Sequence, residues 1–200
     1  MFFFAPGLMN YSDEEIVKEV LAGEKQLFGV LVDRYQQPVF NLMLRYARNS
    51  DEAADLTQDA FVRSFERLWL FRTNEVFFPW LYSLAVNLAK DWNRKKNRQQ
   101  AKLHILQHEA ADRQADEDEN NGSENRQEIE QVQHGLMELP SQTREILILR
   151  YRHGCPIQDI AGAFRLSESA VKMRIKRGLA QLREILIHPC GVLDKQGQQS

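Results

Sequence analysis

An acidic, apolar-poor stretch between residues 109 and 130 most constrains how this 200-residue chain can fold. Its negative side chains, opposed within the stretch by Arg113 and Arg126 alone, are Glu109, Asp112, Asp116, Glu117, Asp118, Glu119, Glu124, Glu128 and Glu130. A segment with so little apolar surface cannot bury enough of it to offset the entropy of ordering its backbone. The sequence therefore predicts a flexible acidic linker over residues 99–128, which joins a domain at 10–98 to another at 129–188.

Helical periodicity dominates on both sides of this linker, and no stretch alternates convincingly like a strand. Ser12 followed by Glu15 predicts a capping box at a helix start, with Gly23 as the end of that helix. Asn49 followed by Glu52 predicts a second capping box, while Pro38 is expected to kink or interrupt the helix before it. The fold class that follows is all-α, with two small helical domains.

Composition excludes several classes of protein. Apolar residues make up 43% of the chain and charged residues 27%, which is typical of a globular protein. Cys155 and Cys190 are too few for a disulfide framework, and although His153 lies two residues before Cys155, nothing nearby completes a set of metal ligands. We find no glycine-rich phosphate loop and no nucleophile set, so we expect no catalytic residue, no cofactor and no metal. The apolar start is too short for a signal peptide, and no segment approaches the ~18 residues of a membrane span, so we expect a cytoplasmic protein.

The C-terminal helices have the pattern of a helix-turn-helix motif. Ile157, Ile160 and the small Ala161 are expected to face the second helix. Val171 and Ile175 would anchor that helix to the core. Ser167 is the predicted N-cap of that second helix, and the helix N-terminus is then free to point at a phosphate. The side chains on the remaining faces, which we predict to bind DNA, are Lys172, Met173, Arg174, Lys176 and Arg177.

Two features of this motif leave an alternative open. A basic run is often only the solvated face of a helical bundle. In addition, the glycine usual in the turn is replaced by Arg165, and an arginine in the left-handed conformation costs ~1 kcal/mol. A turn of another shape is therefore the second possibility.

Several short motifs resemble one known family. The segments LPS at 139–141 and LRY at 149–151, together with the helix-turn-helix, resemble sigma region 4. The segments DLTQDAF at 55–61 and WLYSLAVN at 80–87, with residues 28–35 before them, resemble sigma region 2. The chain as a whole therefore resembles a bacterial extracytoplasmic-function sigma factor, the small dissociable subunit with which RNA polymerase recognises promoters.

The resemblance implies contacts with both promoter elements. In region 4 the second helix enters the major groove at the −35 element, where Lys172, Met173, Lys176 and Arg177 would face the bases and Arg174 a phosphate. In region 2 the loop from Phe71 to Phe78 corresponds to the family's loop that captures a flipped base of the −10 element. The candidate residues there are Arg72, Thr73, Asn74 and Glu75. The next helix would lie along the duplex, and its candidate residues are Asn87, Lys90, Arg94 and Lys95. Trp80 and Trp92 are interpreted as core residues rather than base-stacking ones.

The resemblance also implies a partner for one acidic helix. Its candidate residues for binding core RNA polymerase are the polar Asp51, Glu52, Asp55, Gln58 and Asp59, with Phe61 and Phe65 as exposed aromatics. The other interpretation is that the acids only complement the dipole of the first helical turn. Further implications are a linker that passes through the polymerase interior and control by an anti-sigma factor, often membrane-anchored. The alternative function is a helix-turn-helix regulator that binds DNA without polymerase.

Overall fold

The computed structural model describes residues 11–72, 75–106 and 124–187, with side chains for residues 11–72, 75–100 and 129–187. The described residues form α-helices and two short 3₁₀ turns, at Lys25–Leu27 and Leu68–Leu70, and no strand. In chain order the helices are α1 (Asp13–Ala22), α2 (Phe28–Ala47), α3 (Ser50–Glu66), α4 (Phe77–Leu106), α5 (Glu124–Glu138), α6 (Ser141–Tyr151), α7 (Ile157–Phe164) and α8 (Glu168–Ile187). The chain divides into two compact units, and this confirms the prediction of an all-α protein with two helical domains. We call α1–α4 the first unit and α5–α8 the second unit.

The predicted start and end of α1 are both confirmed. The backbone N–H of Glu15 donates to Ser12 Oγ at 3.2 Å, and the N–H of Ser12 donates to Glu15 Oε2 at 2.7 Å, so the capping box is complete. Gly23 ends the helix at φ 124°, a left-handed conformation that glycine adopts without a Cβ clash. Local sequence therefore fixes both ends of this helix.

Pro38 does not interrupt α2, which runs unbroken from Phe28 to Ala47. A proline inside a helix removes one backbone hydrogen bond and crowds the preceding turn. The residues that follow it, Val39, Leu42 and Met43, are fully buried. Burial of this apolar face favours a continuous helix in spite of the lost bond.

The second predicted capping box forms only in part. Asn49 Oδ1 accepts the backbone N–H of Asp51 at 2.8 Å and that of Glu52 at 3.1 Å. The Glu52 carboxylate, however, accepts from Lys96 Nζ on α4, at 2.7 and 2.9 Å, and so turns away from the cap. An ion pair between two helices has therefore replaced the local hydrogen bond that Glu52 would accept from the backbone of Asn49.

In the first unit α2 packs against both α3 and α4. Small residues line the buried sides of the latter two helices, among them Ala53 and Ala60 on α3 and Ala85 and Ala89 on α4, all fully buried. Side chains of this size let helix axes approach closely, while Leu31, Leu42, Met43, Leu81 and Tyr82 fill the space between them. The surface of α3 that remains outside this core is the one of functional interest.

In the second unit α8 packs against α6 and α5, and a glycine lies at each of the two contacts. A Cβ on Gly178 would lie 2.5 Å from Thr143 Cγ2, and a Cβ on Gly135 would lie 2.8 Å from Leu182 Cδ1. At position 178 the buried Thr143 would have to shift to admit a Cβ, whereas at position 135 the flexible end of the Leu182 side chain could turn away. These contacts position α8, which carries the predicted DNA-binding face.

Helical structure reaches into both ends of the predicted linker. The first unit was expected to end at residue 98, yet α4 continues to Leu106, and α5 begins at Glu124 rather than near residue 129. Good helix formers such as Ala101, Lys102 and Leu103 favour the extension of α4. Acidic residues near a helix N-terminus are favoured by its dipole, so the negative charge of residues 124–130 is compatible with a helix start. The remainder of the predicted linker, residues 107–123, lies outside the described residues.

Candidate nucleic-acid interface

The turn between α7 and α8 has the geometry of a helix-turn-helix with an arginine in the left-handed position. Arg165 has φ 54°, and the N–H of Leu166 donates to the carbonyl of Ala161 at 2.9 Å. A hydrogen bond across six residues with a left-handed residue inside it is the usual way to close a helix C-terminus. The backbone of the turn therefore has the shape expected of a helix-turn-helix. Only the residue type is unusual, because arginine occupies the position where glycine is common.

Four of the five predicted anchors of the motif are confirmed as buried: Ile160 and Ala161 on α7, and Val171 and Ile175 on α8. The fifth, Ile157, is half-buried. The N–H of Ala170 donates to Ser167 Oγ at 3.2 Å, so Ser167 is the N-cap that the sequence predicted. Because one face of α8 is buried and its first turn is capped, the opposite face of the helix points to solvent.

That opposite face carries the predicted DNA-binding residues. Lys172, Lys176 and Arg177 are exposed, Arg174 is half-buried, and Met173 is 48% exposed although it is apolar. The sequence interpretation omitted Glu168, whose carboxylate lies 3.8 Å from Lys172 Nζ, one turn away. Both side chains of this pair are well exposed, and such pairs contribute at most about 1 kcal/mol, so a phosphate can readily displace the glutamate.

The loop predicted to capture a base is closed at its two ends by aromatic rings. Phe71 before the loop contacts Phe77 after it, with ring centroids 5.8 Å apart, and Trp80 lies edge-on to Phe71 at 5.5 Å. Of the candidate residues, Arg72 is exposed and Glu75 is half-buried, with a turn bond of 2.9 Å from the Glu75 N–H to the Arg72 carbonyl. Thr73 and Asn74 lie outside the described residues.

The two tryptophans of α4 that were interpreted as core residues are only half-buried. Trp80 packs in the aromatic cluster behind the loop, with its ring 5.7 Å from that of Phe77. Trp92 lies under the ammonium group of Lys96, 4.6 Å from Nζ to the ring centroid. Each ring therefore has a packing role within the unit and also keeps some accessible surface.

The predicted basic face of α4 contains an acid that the sequence interpretation missed. Asn87 and Lys95 are exposed, and Lys90 is half-buried. Arg94 forms a short ion pair with Asp91, three residues earlier on the helix, and 73% of the arginine side chain is exposed. Asp91 reduces the local positive charge, and its i,i+3 spacing from Arg94 was the signal available in the sequence.

The exposed face of α3 agrees in part with the residues predicted to bind polymerase. Asp51, Asp55, Gln58 and Asp59 are exposed, and Glu52 is half-buried in its pair with Lys96. Phe61 was predicted as an exposed aromatic, and this is wrong, because it is 6% exposed and belongs to the core.

The apolar part of that face contains Phe65, an exposed aromatic as predicted, and two residues that the sequence did not suggest. Phe65 is 37% exposed and contacts Phe28 edge-on at 5.1 Å. Val62 is 50% exposed on α3 and Trp69 is 71% exposed in the 3₁₀ turn that follows. The sequence interpretation omitted both, although Val62 follows Asp55 and Asp59 at the seven- and three-residue intervals of one helical face.

Within the described ranges, no cluster of three or more histidine, cysteine or acidic side chains could hold a metal ion. The same residues contain no helix both long and apolar enough to cross a membrane.

Comparison with known proteins identifies the family. The sequence profile of Sigma-70 region 2 matches residues 31–99, and that of Sigma-70, region 4 matches residues 129–182. The RNA polymerase sigma-H factor of Pseudomonas aeruginosa is 30% identical over 176 residues, which cover 85% of this chain and 91% of that protein. The chain belongs to the sigma-70 family of RNA polymerase sigma factors.

More specifically, the protein is an extracytoplasmic-function sigma factor. The ECF RNA polymerase sigma factor SigW of Bacillus subtilis is 30% identical over 179 residues, covering 85% of this chain and 94% of SigW. A structure of the sigma factor RpoE in complex with the anti-sigma factor NepR from Bartonella quintana has a TM-score of 0.60 and 19% identity. It covers 80% of this chain and 96% of that one, and the likeness shows the shared fold.

The family membership decides between the two functions that the sequence left open. A sigma factor directs core RNA polymerase to promoters at transcription initiation, and such a factor carries both region 2 and region 4. A polymerase-independent regulator would account for the helix-turn-helix of the second unit alone, and is not favoured. Sigma factors are initiation factors rather than enzymes in themselves.

Proposed function

We propose that this sigma factor reads the −35 element with the exposed face of α8. The observation that carries this proposal is the side-chain distribution on that helix: Val171 and Ile175 are buried while Lys176 and Arg177 are exposed. Lysine and arginine donate to guanine acceptors in the major groove, and the exposed Met173 offers apolar contact to a thymine methyl. The half-buried Arg174 is suited to a phosphate.

The test is promoter binding by holoenzyme reconstituted with variant sigma factors. Promoters are first selected from a random DNA library with the wild-type holoenzyme. We expect Lys176→Ala and Arg177→Ala each to reduce affinity, by roughly tenfold for a base contact, and to relax the base preference within the −35 element. Lys18→Ala, which removes an exposed lysine of α1, is the matched control. If both α8 variants select and bind the same promoters as the control, α8 does not read the −35 element.

For the −10 element we propose that the loop carrying Arg72, Thr73, Asn74 and Glu75 holds a flipped base, while Asn87, Lys90, Arg94 and Lys95 contact the upstream phosphates. Extracting a base costs a few kcal/mol, so the loop has to be held in shape before DNA arrives. The ring contacts of Phe71 with Phe77 and Trp80 support this.

Arg72→Ala should slow opening of a duplex promoter and affect a pre-melted promoter much less. Equal effects on both templates would refute a role in base capture.

We further propose that the exposed acids of α3 bind a basic segment of core polymerase. Asp51, Asp55 and Asp59 repeat every four residues, so they form one negative stripe on the exposed side of the helix. Gln58 is exposed beside this stripe, and Glu52 forms a partly exposed ion pair with Lys96. Asp55→Lys combined with Asp59→Lys should abolish co-elution with purified core polymerase. Co-elution that survives the charge reversal would place the contact elsewhere.

Finally, we propose that an anti-sigma factor holds this cytoplasmic protein inactive. The support is that RpoE, which shares its fold, was solved with the anti-sigma factor NepR. A protein captured by the tagged sigma factor from its host should displace core polymerase from it in a purified competition assay. A captured protein that does not displace core polymerase would contradict regulation by an anti-sigma factor.

A further inference from the structure

The carboxylate of Asp13, at the start of α1, is held by two side chains of α2. Arg34 Nη1 donates to Asp13 Oδ1 at 2.7 Å, and the Tyr35 hydroxyl donates to Asp13 Oδ2. A further bond of 2.8 Å joins Arg34 Nη2 to the carbonyl of Tyr11. Only 12% of the Asp13 side chain is exposed. Both carboxylate oxygens therefore have a donor, in a partly buried site between the two helices.

This arrangement of Asp13 is not needed to begin the helix. The capping box of Ser12 and Glu15 already supplies partners at the start of α1. The helix dipole favours any acid in the first turn, and it does not explain why this one is directed at α2. Burial, followed by the hydrogen bond to Asp13, raises the pKa of Tyr35 above its ordinary value. The hydroxyl therefore keeps its proton and acts as the donor to the carboxylate.

The ring of Tyr35 supports the end of the loop from Phe71 to Phe78, which we call the −10 loop. It stacks on the ring of Phe78, with centroids 4.8 Å apart and planes 18° from parallel, and lies 6.0 Å from the ring of Phe77. Tyr82 contacts Phe78 edge-on at 5.7 Å. Phe77 and Phe78 are buried at the start of α4. Tyr35 thus meets α1 through its hydroxyl and the end of the −10 loop through its ring.

The hydrogen bond adds a constraint that ring packing alone does not supply. Aromatic rings pack over a range of centroid distances, about 4.5–7 Å, and in more than one orientation. A hydrogen bond to a carboxylate is stronger than one between neutral groups and is directional. The bond from Tyr35 to Asp13 therefore restricts the position of the ring, and the ring in turn restricts Phe78.

We propose that Asp13 and Tyr35 are positioning residues for promoter opening, which hold the end of the −10 loop in the shape that receives the flipped base. This inference rests on the proposed base capture by that loop. In this role the two residues act through Phe78 and need no contact with DNA. A loop that is already in shape loses little conformational freedom when the base arrives, so the hydrogen bond favours the opening step over the initial binding of duplex DNA.

The test separates promoter opening from promoter binding, in holoenzyme reconstituted with variant sigma factors. Tyr35→Phe removes only the hydroxyl. We expect it to slow opening of a duplex promoter by roughly fivefold, while the affinity of the closed complex stays within about twofold of the wild type. Tyr35→Leu, which also removes the ring, should slow opening further. On a promoter melted beforehand over the −10 element, both variants should match the wild type. Equal slowing on both templates would overturn the inference.

Val20→Ala is the matched control, because Val20 is a buried residue of the same helix, about two turns from Asp13. It should lower the thermal midpoint of the first unit at least as much as Tyr35→Phe does, and leave the opening rate unchanged. Equal slowing by Val20→Ala and Tyr35→Phe would overturn the inference, because slow opening would then reflect lower stability alone. Wild-type opening rates with Tyr35→Phe and Tyr35→Leu would also overturn it.

Arg72→Ala distinguishes this inference from the proposed function on which it rests. If Arg72→Ala slows opening of the duplex promoter and the Tyr35 variants do not, only the positioning role is refuted. If none of these variants slows opening, base capture by the −10 loop is refuted as well. Combined, Arg72→Ala and Tyr35→Phe should slow opening by less than the product of their separate effects, because both act through the same loop. Effects that multiply would contradict the positioning role.

Discussion

The close approach of α8 to α6 gives a stability prediction in which one glycine serves as the control for another. Gly178 on α8 and Gly162 on α7 both lie inside helices, so replacing either by alanine should gain about 0.5–1 kcal/mol of helix propensity. Their surroundings differ. A Cβ at position 178 would lie 2.5 Å from Thr143 Cγ2 and 3.1 Å from Leu147 Cδ1, whereas at position 162 nothing lies within 4 Å.

The magnitude follows from that difference. Thr143 and Leu147 are both buried, so neither can move without disturbing the packing around it. Overpacking of this kind typically costs 1–3 kcal/mol. Gly162→Ala should therefore be more stable than the wild type by about 0.5–1 kcal/mol. Gly178→Ala should be less stable than Gly162→Ala by about 1–3 kcal/mol, because the gain in propensity cancels between the two variants.

The assay is scanning calorimetry of the full chain, which can separate the transitions of the two units. A difference of 1 kcal/mol should move the midpoint of the second unit by roughly 4–8 °C for a domain of this size. A double variant should show the sum of the two single effects if the sites are independent. Equal midpoints for Gly178→Ala and Gly162→Ala would refute the argument that α6 and α8 require glycine at their contact.

Three further outcomes follow from other local features. Arg165→Gly should stabilise the second unit by about 1 kcal/mol in calorimetry, because the turn holds position 165 at φ 54°; an unchanged midpoint would show that the arginine is not strained. Glu52→Ala and Lys96→Ala, combined in a double-mutant cycle, should give a coupling of at most about 1 kcal/mol that fades with added salt, since both side chains are partly exposed; coupling that persists at high salt would contradict an exposed pair. Burial, with a smaller effect of Asp159, raises the pKa of the Cys155 thiol from 9.0 to about 11. The unfolded chain therefore releases this proton first, so the stability of the second unit should fall as the pH rises from 9.0 to about 11, and Cys155→Ala should lack that fall.

Features that depend on neighbours in the sequence were predicted from it directly. The capping box of Ser12 and Glu15, the end of α1 at Gly23, the Ser167 cap and the placement of Val171 and Ile175 all involve residues within about one or two helical turns of one another. A side chain within that range meets its partner whenever the helix forms. The pattern of the helix-turn-helix could therefore be identified before any tertiary contact was known.

Features that depend on distant segments were decided only by the tertiary structure. Glu52 left its cap because Lys96, on another helix, offers a charged partner 2.7 Å away. Pro38 lies in an unbroken helix because the side chains after it are buried.

Phe61 and Phe65 are four residues apart, so they are neighbours on one edge of the wide apolar side of α3. Packing against α2 and α4 buried the first, while the second remained partly exposed beside Phe28. The sequence by itself determined where the helices lie and which charges they carry. Only the packing of one helix on another determined which of those side chains are left for DNA and polymerase, because exposure depends on what covers a residue in space.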